Sequence, residues 1–260
     1  MSRYHKLLLR RTPHADHLYR AVGLALLLLT LPAQNAWAIR PFVTDDARVV
    51  GQHRLQLETW LQADNDSTEH WAVATFGPTE NTELSAGGFY GLNYQSRRMK
   101  FAVGGPIFQC KVLLHPIEPN SWPGMAVAGG AVSPYGTGGF EAGGWDPFTY
   151  LAITESLFQD DTVLLHANLG IHKAAGIGTK ATWGAGTQIH IDGPWNAIGE
   201  LYSGDPYSNS SGSAAQAGFR YVIGEQMQID GSIGRGVSGG GERTALSGSL
   251  GLRLVSKPLW

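Results

Sequence analysis

The sequence predicts an all-β protein: a closed antiparallel up-and-down transmembrane β-barrel of about twelve strands. Three observations lead there. Charged residues make up only 15% of the chain, well under the ~25% usual for soluble domains, while its 35 glycines are about twice the ordinary share. After residue 38 period-two segments recur and no convincing helical period intervenes. Most of these segments run about 9 to 12 residues, the length a tilted strand needs to cross a bilayer. One face of each is apolar, and the other carries Gly, Ser, Asn, Gln, His and Arg.

Residues 1–38 read as a secretory signal. Lys6, Arg10, Arg11 and Arg20 give a basic start, Ala21 to Leu31 an apolar stretch too short to span a bilayer, and Ala36-Trp37-Ala38 an A-x-A cleavage site. Its removal takes away five of the 19 Lys/Arg and one of the 21 Asp/Glu, leaving a net charge of −6. No basic cluster remains, so nucleic acid is not an expected partner. Cys110 is the only cysteine, which excludes a disulfide scaffold and a cysteine-rich zinc site. It reads as a small buried or lipid-facing hydrophobe. No metal or cofactor is expected.

Residues 39–51 are expected to form a periplasmic lead-in or short plug, and residues 52–260 the barrel. Asp45 and Asp46 in the lead-in are two adjacent carboxylates, too few to argue for a divalent ion. The first strand is expected over Gln52 to Ala63, with Leu55, Leu57, Thr59 and Leu61 opposing Arg54, Gln56, Glu58 and Trp60. His70–Phe76 and Thr82–Tyr94 follow. Arg98–Leu114 contains Gly104-Gly105-Pro106, which marks a bulge or a break. Then come Met125–Val132, Phe148–Leu157, Thr162–Lys173, Lys180–Ile191, Trp195–Ser203, Ala214–Ile223, Met227–Arg235 and Arg243–Val255. Taking Arg98–Leu114 as one bulged strand gives an even count. It also sends the long connections near 134–146 and 204–212 outside and the tight ones near 159–161, 192–194 and 224–226 to the periplasm, as bacterial barrels require. Aromatics such as Trp60, Trp71, Trp122, Tyr150, Trp195 and Tyr221 fall mostly towards strand ends, where interfacial girdles occur.

Candidate functional residues lie on the inward parity. Glu58, Lys111, Glu200, Arg220, Asp230 and Arg253 are charged positions facing the lumen, and a three-residue Gly224-Glu225-Gln226 turn sets Arg220 opposite Asp230. They read as a network bracing the wall or as a selectivity zone. His166 and Asn168 share the inward face of Thr162–Lys173 with His172. The two histidines are roughly 20 Å apart along the strand, too far to share a metal. Gly236-Val237-Ser238-Gly239-Gly240 matches G-x-S-x-G, but a glycine-rich loop rather than a helix follows, so it reads as an outer loop.

Several motifs carry a family resemblance. The lead-in R-P-F-V-T-D-D-A-R-V-V with L-Q-L-E-T-W, the H-A-N-L-G at His166, the Q-A-G-F-R-Y at Gln216 and the late G-L-R-L resemble the meta-pathway phenol-degradation transporters of the bacterial outer membrane. The resemblance covers about Arg40 to Leu254. It implies an outer-membrane barrel with a role in passage of aromatic or other hydrophobic compounds, and carries over no catalytic or binding residue. The expected function is therefore a passive channel or uptake protein for small molecules. The rivals are an outer-membrane lipid hydrolase using a lumen histidine and a plugged structural barrel. Outer-membrane lipid and the barrel-assembly machinery are the expected partners. The usual aromatic at the end of the last strand is absent here. Trp260, past Pro258, is the candidate assembly signal, offset because proline has no donor for a ladder position.

Overall fold

The structure is a computed structural model that describes residues 42–94, 99–118, 121–158, 161–174, 178–205, 212–238 and 246–260. The expected signal segment, Arg40, Pro41 and Arg243 lie outside the described residues. Twelve strands are described: β1 (Leu55–Ala63), β2 (Ser67–Thr79), β3 (Thr82–Asn93), β4 (Lys100–His115), β5 (Gly124–Val132), β6 (Asp146–Leu157), β7 (Val163–Ala174), β8 (Gly178–Asp192), β9 (Trp195–Ser203), β10 (Ser213–Ile223), β11 (Met227–Ser238) and β12 (Leu246–Val255). Each pairs antiparallel with its neighbours in sequence, and β12 pairs with β1 from Gln56↔Val255 to Ala63↔Gly248, closing the barrel. Closure leaves no free edge.

Alternation decides the two faces. Along β1, Leu55, Leu57 and Leu61 face outward while Gln56 and Trp60 are buried within. In β7, Leu165, Leu169 and Ile171 are outward and His166 and His172 inward. Cys110 is exposed on the outer face.

Arg98–Leu114 was the ambiguous segment, and it contains one strand. Gly87 pairs with Ile107 and Phe89 with Gly104, so Gly88 opposes the two residues Gly105 and Pro106. This bulge changes the inward parity within β4. Ala102 and Gly104 are buried above it, and Ile107, Gln109 and Lys111 below it. The extra room at Gly105 is used by the β5–β6 connection: a Cβ there would lie 2.3 Å from the Ser133 carbonyl oxygen. Thr137 then bridges to Val103.

Three expectations need correction. β1 begins at Leu55 rather than Gln52, because positive φ at Gly51 (87°) and His53 (55°) turns the chain into the strand. β2 runs to Thr79, past the expected Phe76, with a register shift between Phe76 and Thr79 that absorbs Gly77 and Pro78. Trp60, Trp71 and Tyr150 are not girdle residues. Trp60 and Trp71 stack inside the barrel, 5.3 Å between ring centroids, in an apolar cluster with Val73 and Ile107. Phe89 packs on that cluster and Phe140 packs edge-on to Phe89. By contrast Trp122, Trp145 and Trp195 are exposed.

Candidate functional site

Every charged position expected to face the lumen does so. Lys111, Glu200, Arg220, Asp230 and Arg253 are buried and Glu58 is partly buried. Arg220 is paired in register with Asp230, and Glu58 with Arg253. Glutamines tie these pairs into the wall. Arg253 Nε donates to Gln56 Oε1 at 3.1 Å, Gln228 Nε2 to Asp230 Oδ2 at 3.0 Å, and Arg220 to Gln188. This half of the wall is a hydrogen-bonded network in which buried charge meets partners, as burial demands.

The other half holds the lead-in. Residues 42–50 lie inside the lumen, and most of their anchors are wall side chains. Near the barrel end where β1 begins, the Val50 N–H donates to Glu83 Oε2 at 2.8 Å and Arg48 Nη2 to Asp161 Oδ2 at 2.7 Å. Further in, the Ala47 N–H donates to Thr154 Oγ1 at 3.0 Å. Asn168 pairs with the Asp45 backbone twice, accepting its N–H at 2.5 Å and donating to its carbonyl at 2.8 Å. The Glu200 carboxylate accepts the Val43 N–H at 2.7 Å and the Thr44 N–H at 2.8 Å. A segment outside the strands thus has many of its backbone donors satisfied by side chains.

Asp45 is the carboxylate nearest the buried Lys111 ammonium. Its Oδ1 lies 2.8 Å from Lys111 Nζ, and its Oδ2 accepts the Tyr150 hydroxyl at 2.5 Å. Asp46 Oδ1 and Glu83 Oε1 each lie 3.9 Å from the same ammonium. Burial pushes the Asp45 carboxyl above the usual carboxylate range, and the Lys111 ammonium is the largest influence pulling it back. Among the described residues no group of three or more His, Cys, Asp or Glu is placed to hold a metal ion. The Asp45 carboxylate is taken up by Lys111 and Tyr150 instead.

Phe42 fills the far end of the segment. Its ring meets His166 edge-on at 5.4 Å, and the Arg220 guanidinium lies 5.8 Å from its centroid. Two glycines of β8 make the room. A Cβ on Gly184 would lie 2.2 Å from Thr44 Oγ1, and one on Gly186 would lie 3.2 Å from the Phe42 ring. His166 also holds Thr154 Oγ1 at 3.0 Å from its Nδ1, directly across the β6–β7 ladder. Space remains on the opposite side of the lead-in, bounded by Trp60, Tyr202, Gln216, Ser232 and Ser249.

Of the sequence candidates, Lys111, His166, Asn168, Glu200 and Arg220 contact the lead-in, whereas Glu58, Asp230 and Arg253 belong to the wall network. Glu83, Tyr150 and Thr154 complete the site and were not singled out from sequence. Ser238 is the last residue of β11, and Gly239 and Gly240 lie outside the described residues. Trp260 lies beyond β12, its ring 4.6 Å from His53 and its carbonyl oxygen 3.2 Å from His53 Nδ1.

Comparison with known proteins places this architecture. The chain belongs to the family described as uncharacterised conserved protein UCP029691, which matches residues 25–250. No curated protein matches it by sequence. Among solved structures it resembles the COG4313 outer membrane channel from Pseudomonas putida F1, at 12% identity and a TM-score of 0.58, covering 81% of this chain and 97% of that one. It also resembles the KdgM porin, at 8% identity and a TM-score of 0.56, covering 76% and 98%. A structure of KdgM porin with disordered oligogalacturonate gives a TM-score of 0.55 at 9% identity, again covering 76% and 98%. At such identities the likeness establishes the fold: a closed twelve-stranded antiparallel barrel of the outer-membrane porin kind.

Proposed function

We propose that this member of the family is a passive outer-membrane channel for small molecules, closed in the present state by residues 42–50. The observation that carries the reading is the polar lumen crossed by a segment held mainly through hydrogen bonds to side chains. Water or a solute can replace such bonds one for one, so the segment can leave without exposing a large apolar surface. Outward leucines on β1, β7 and β12 support a lipid-facing wall and so an outer-membrane location. Assembly by the barrel machinery through Trp260 belongs to the same reading. Aromatic or hydrophobic solutes are supported by the sequence resemblance to phenol-degradation transporters.

The lead-in also supports a second reading, a plugged structural barrel. The lipid-hydrolase reading has less support, because His166 is covered by Phe42 and its Nδ1 is engaged with Thr154. Purified protein in planar bilayers separates the two. A chain lacking residues 42–50 should conduct ions steadily, and the intact chain should conduct less or flicker. A silent deletion variant that still changes gel mobility on boiling overturns the channel in favour of the structural barrel.

A further inference from the structure

We propose that Lys111 and Tyr150 form a binding site for a monocarboxylate solute, one that Asp45 of the lead-in occupies as a tethered stand-in. The inference rests on the channel reading for the route by which a solute arrives, and on the wall's own geometry for the site.

The two donors come from β4 and β6, with β5 between them. Lys111 pairs in register with Ala128, and Ala128 with Tyr150. The alanine methyl between them leaves space for both longer arms to converge. They meet the two oxygens of one carboxylate separately, Lys111 Nζ on Oδ1 and the Tyr150 hydroxyl on Oδ2. Gln109 Oε1, 3.1 Å from the same hydroxyl, is the alternative acceptor for its single proton when no carboxylate is present. Both oxygens are therefore recognised by wall side chains alone. The lead-in backbone is held elsewhere, by Asn168 and Glu200. What the pair reads is a carboxylate, whatever it is attached to.

The charge balance points the same way. Lys111 is fully buried, and its acidic neighbours are Asp45, Asp46 and Glu83. Two of these three leave with the lead-in. The one that stays, Glu83, sits at 3.9 Å, beyond hydrogen-bond length. A buried ammonium with three donors then lacks a direct acceptor. The place vacated on the ammonium is that of one carboxylate, since only Asp45 is within hydrogen-bond length and Asp46 stands off at 3.9 Å. A planar carboxylate fills that place and supplies the acceptor.

Chemical rescue tests this. Asp45→Ala removes the stand-in and leaves a carboxylate-sized vacancy on Lys111. Its unfolding temperature, read from the heat-dependent mobility of the barrel on gels, should fall. Acetate, but not acetamide at equal ionic strength, should restore about 3 °C or more. Asp45→Ala/Lys111→Gln should show no restoration. If Asp45→Ala does not insert, Asp45→Gly serves, with acetate again expected to act only through Lys111. Acetate that does no more than acetamide, or that acts equally on the double variant, overturns the proposal. Rescue by acetate in a protein that conducts in no variant would leave the site standing and defeat the channel reading instead.

Discussion

Glu200→Ala should release the inner end of the lead-in. The Glu200 carboxylate accepts the Val43 and Thr44 N–H groups at 2.7 and 2.8 Å. Hydrogen bonds to an ionised group contribute about 1.5–3 kcal/mol each, so the pair contributes roughly 3–6 kcal/mol. Water entering the vacated space recovers part, leaving a net loss of about 2–4 kcal/mol in docking. That raises the undocked population by roughly 30- to 1000-fold. Trypsin cleavage after Arg48 reads this population, since Arg48 is partly buried and bonded to Asp161 when docked. Where undocking is fast relative to cleavage, the rate follows the open fraction. In detergent-solubilised barrel, Glu200→Ala should be cut at least tenfold faster than the parent. Glu200→Gln should be intermediate, because its amide oxygen keeps one acceptor. Equal cleavage rates in a Glu200→Ala barrel that still shifts on heating would refute the docking argument.

Three other outcomes follow from the same geometry. Gly184→Val places atoms within 2.2 Å of Thr44 Oγ1. Overpacking of about 1–3 kcal/mol should then speed cleavage after Arg48 roughly tenfold with no charge altered. Arg220→Ala removes the cation opposite Asp230 and should cost about 3–5 kcal/mol. The unfolding temperature on gels should drop by roughly 6–20 °C, and no drop would sink the bracing role. Trp260→Ala should reduce the inserted fraction in outer membranes while the inserted barrel keeps its gel mobility. Unchanged insertion would remove Trp260 as an assembly signal.

The barrel was legible because its signal is local. Alternation in β1, β7 and β12 names the two faces, and the tight turns at 193–194 and 224–226 mark where neighbouring strands join. Arg220 opposite Asp230 needed only the length of one turn. The lead-in reads from sequence as a periplasmic segment or a short plug, but the wall contacts that seat it were not legible. Thr44 and Glu200 are 156 residues apart in sequence, and no period links them. Tyr150 was misassigned for a different reason: β6 carries apolar residues on both faces, Tyr150 and Ala152 within and Leu151 and Ile153 without, so parity gives no preference. Trp60 and Trp71 followed the inward parity of their strands, yet a tryptophan near a strand end reads equally well as an interfacial anchor. Glu83 shows what was available: a carboxylate opposite Leu84 on β3, in register with Lys111, needed only the pairing of adjacent strands.

The bulge at Gly105 and Pro106 acts on β4 as a shift of reading frame acts on a message. Above it even-numbered residues face inward, and below it odd-numbered ones do, so Lys111 reaches the lumen only because two residues there answer to one on β3. Deleting either residue changes no side chain near Lys111. It restores a single frame, and one half of the strand must turn over. If the half carrying Lys111 turns, Lys111 moves to the outer face, and Phe108 and Cys110 enter the lumen. Substitutions in this strand are read one position at a time, whereas a one-residue deletion rewrites everything on one side of it.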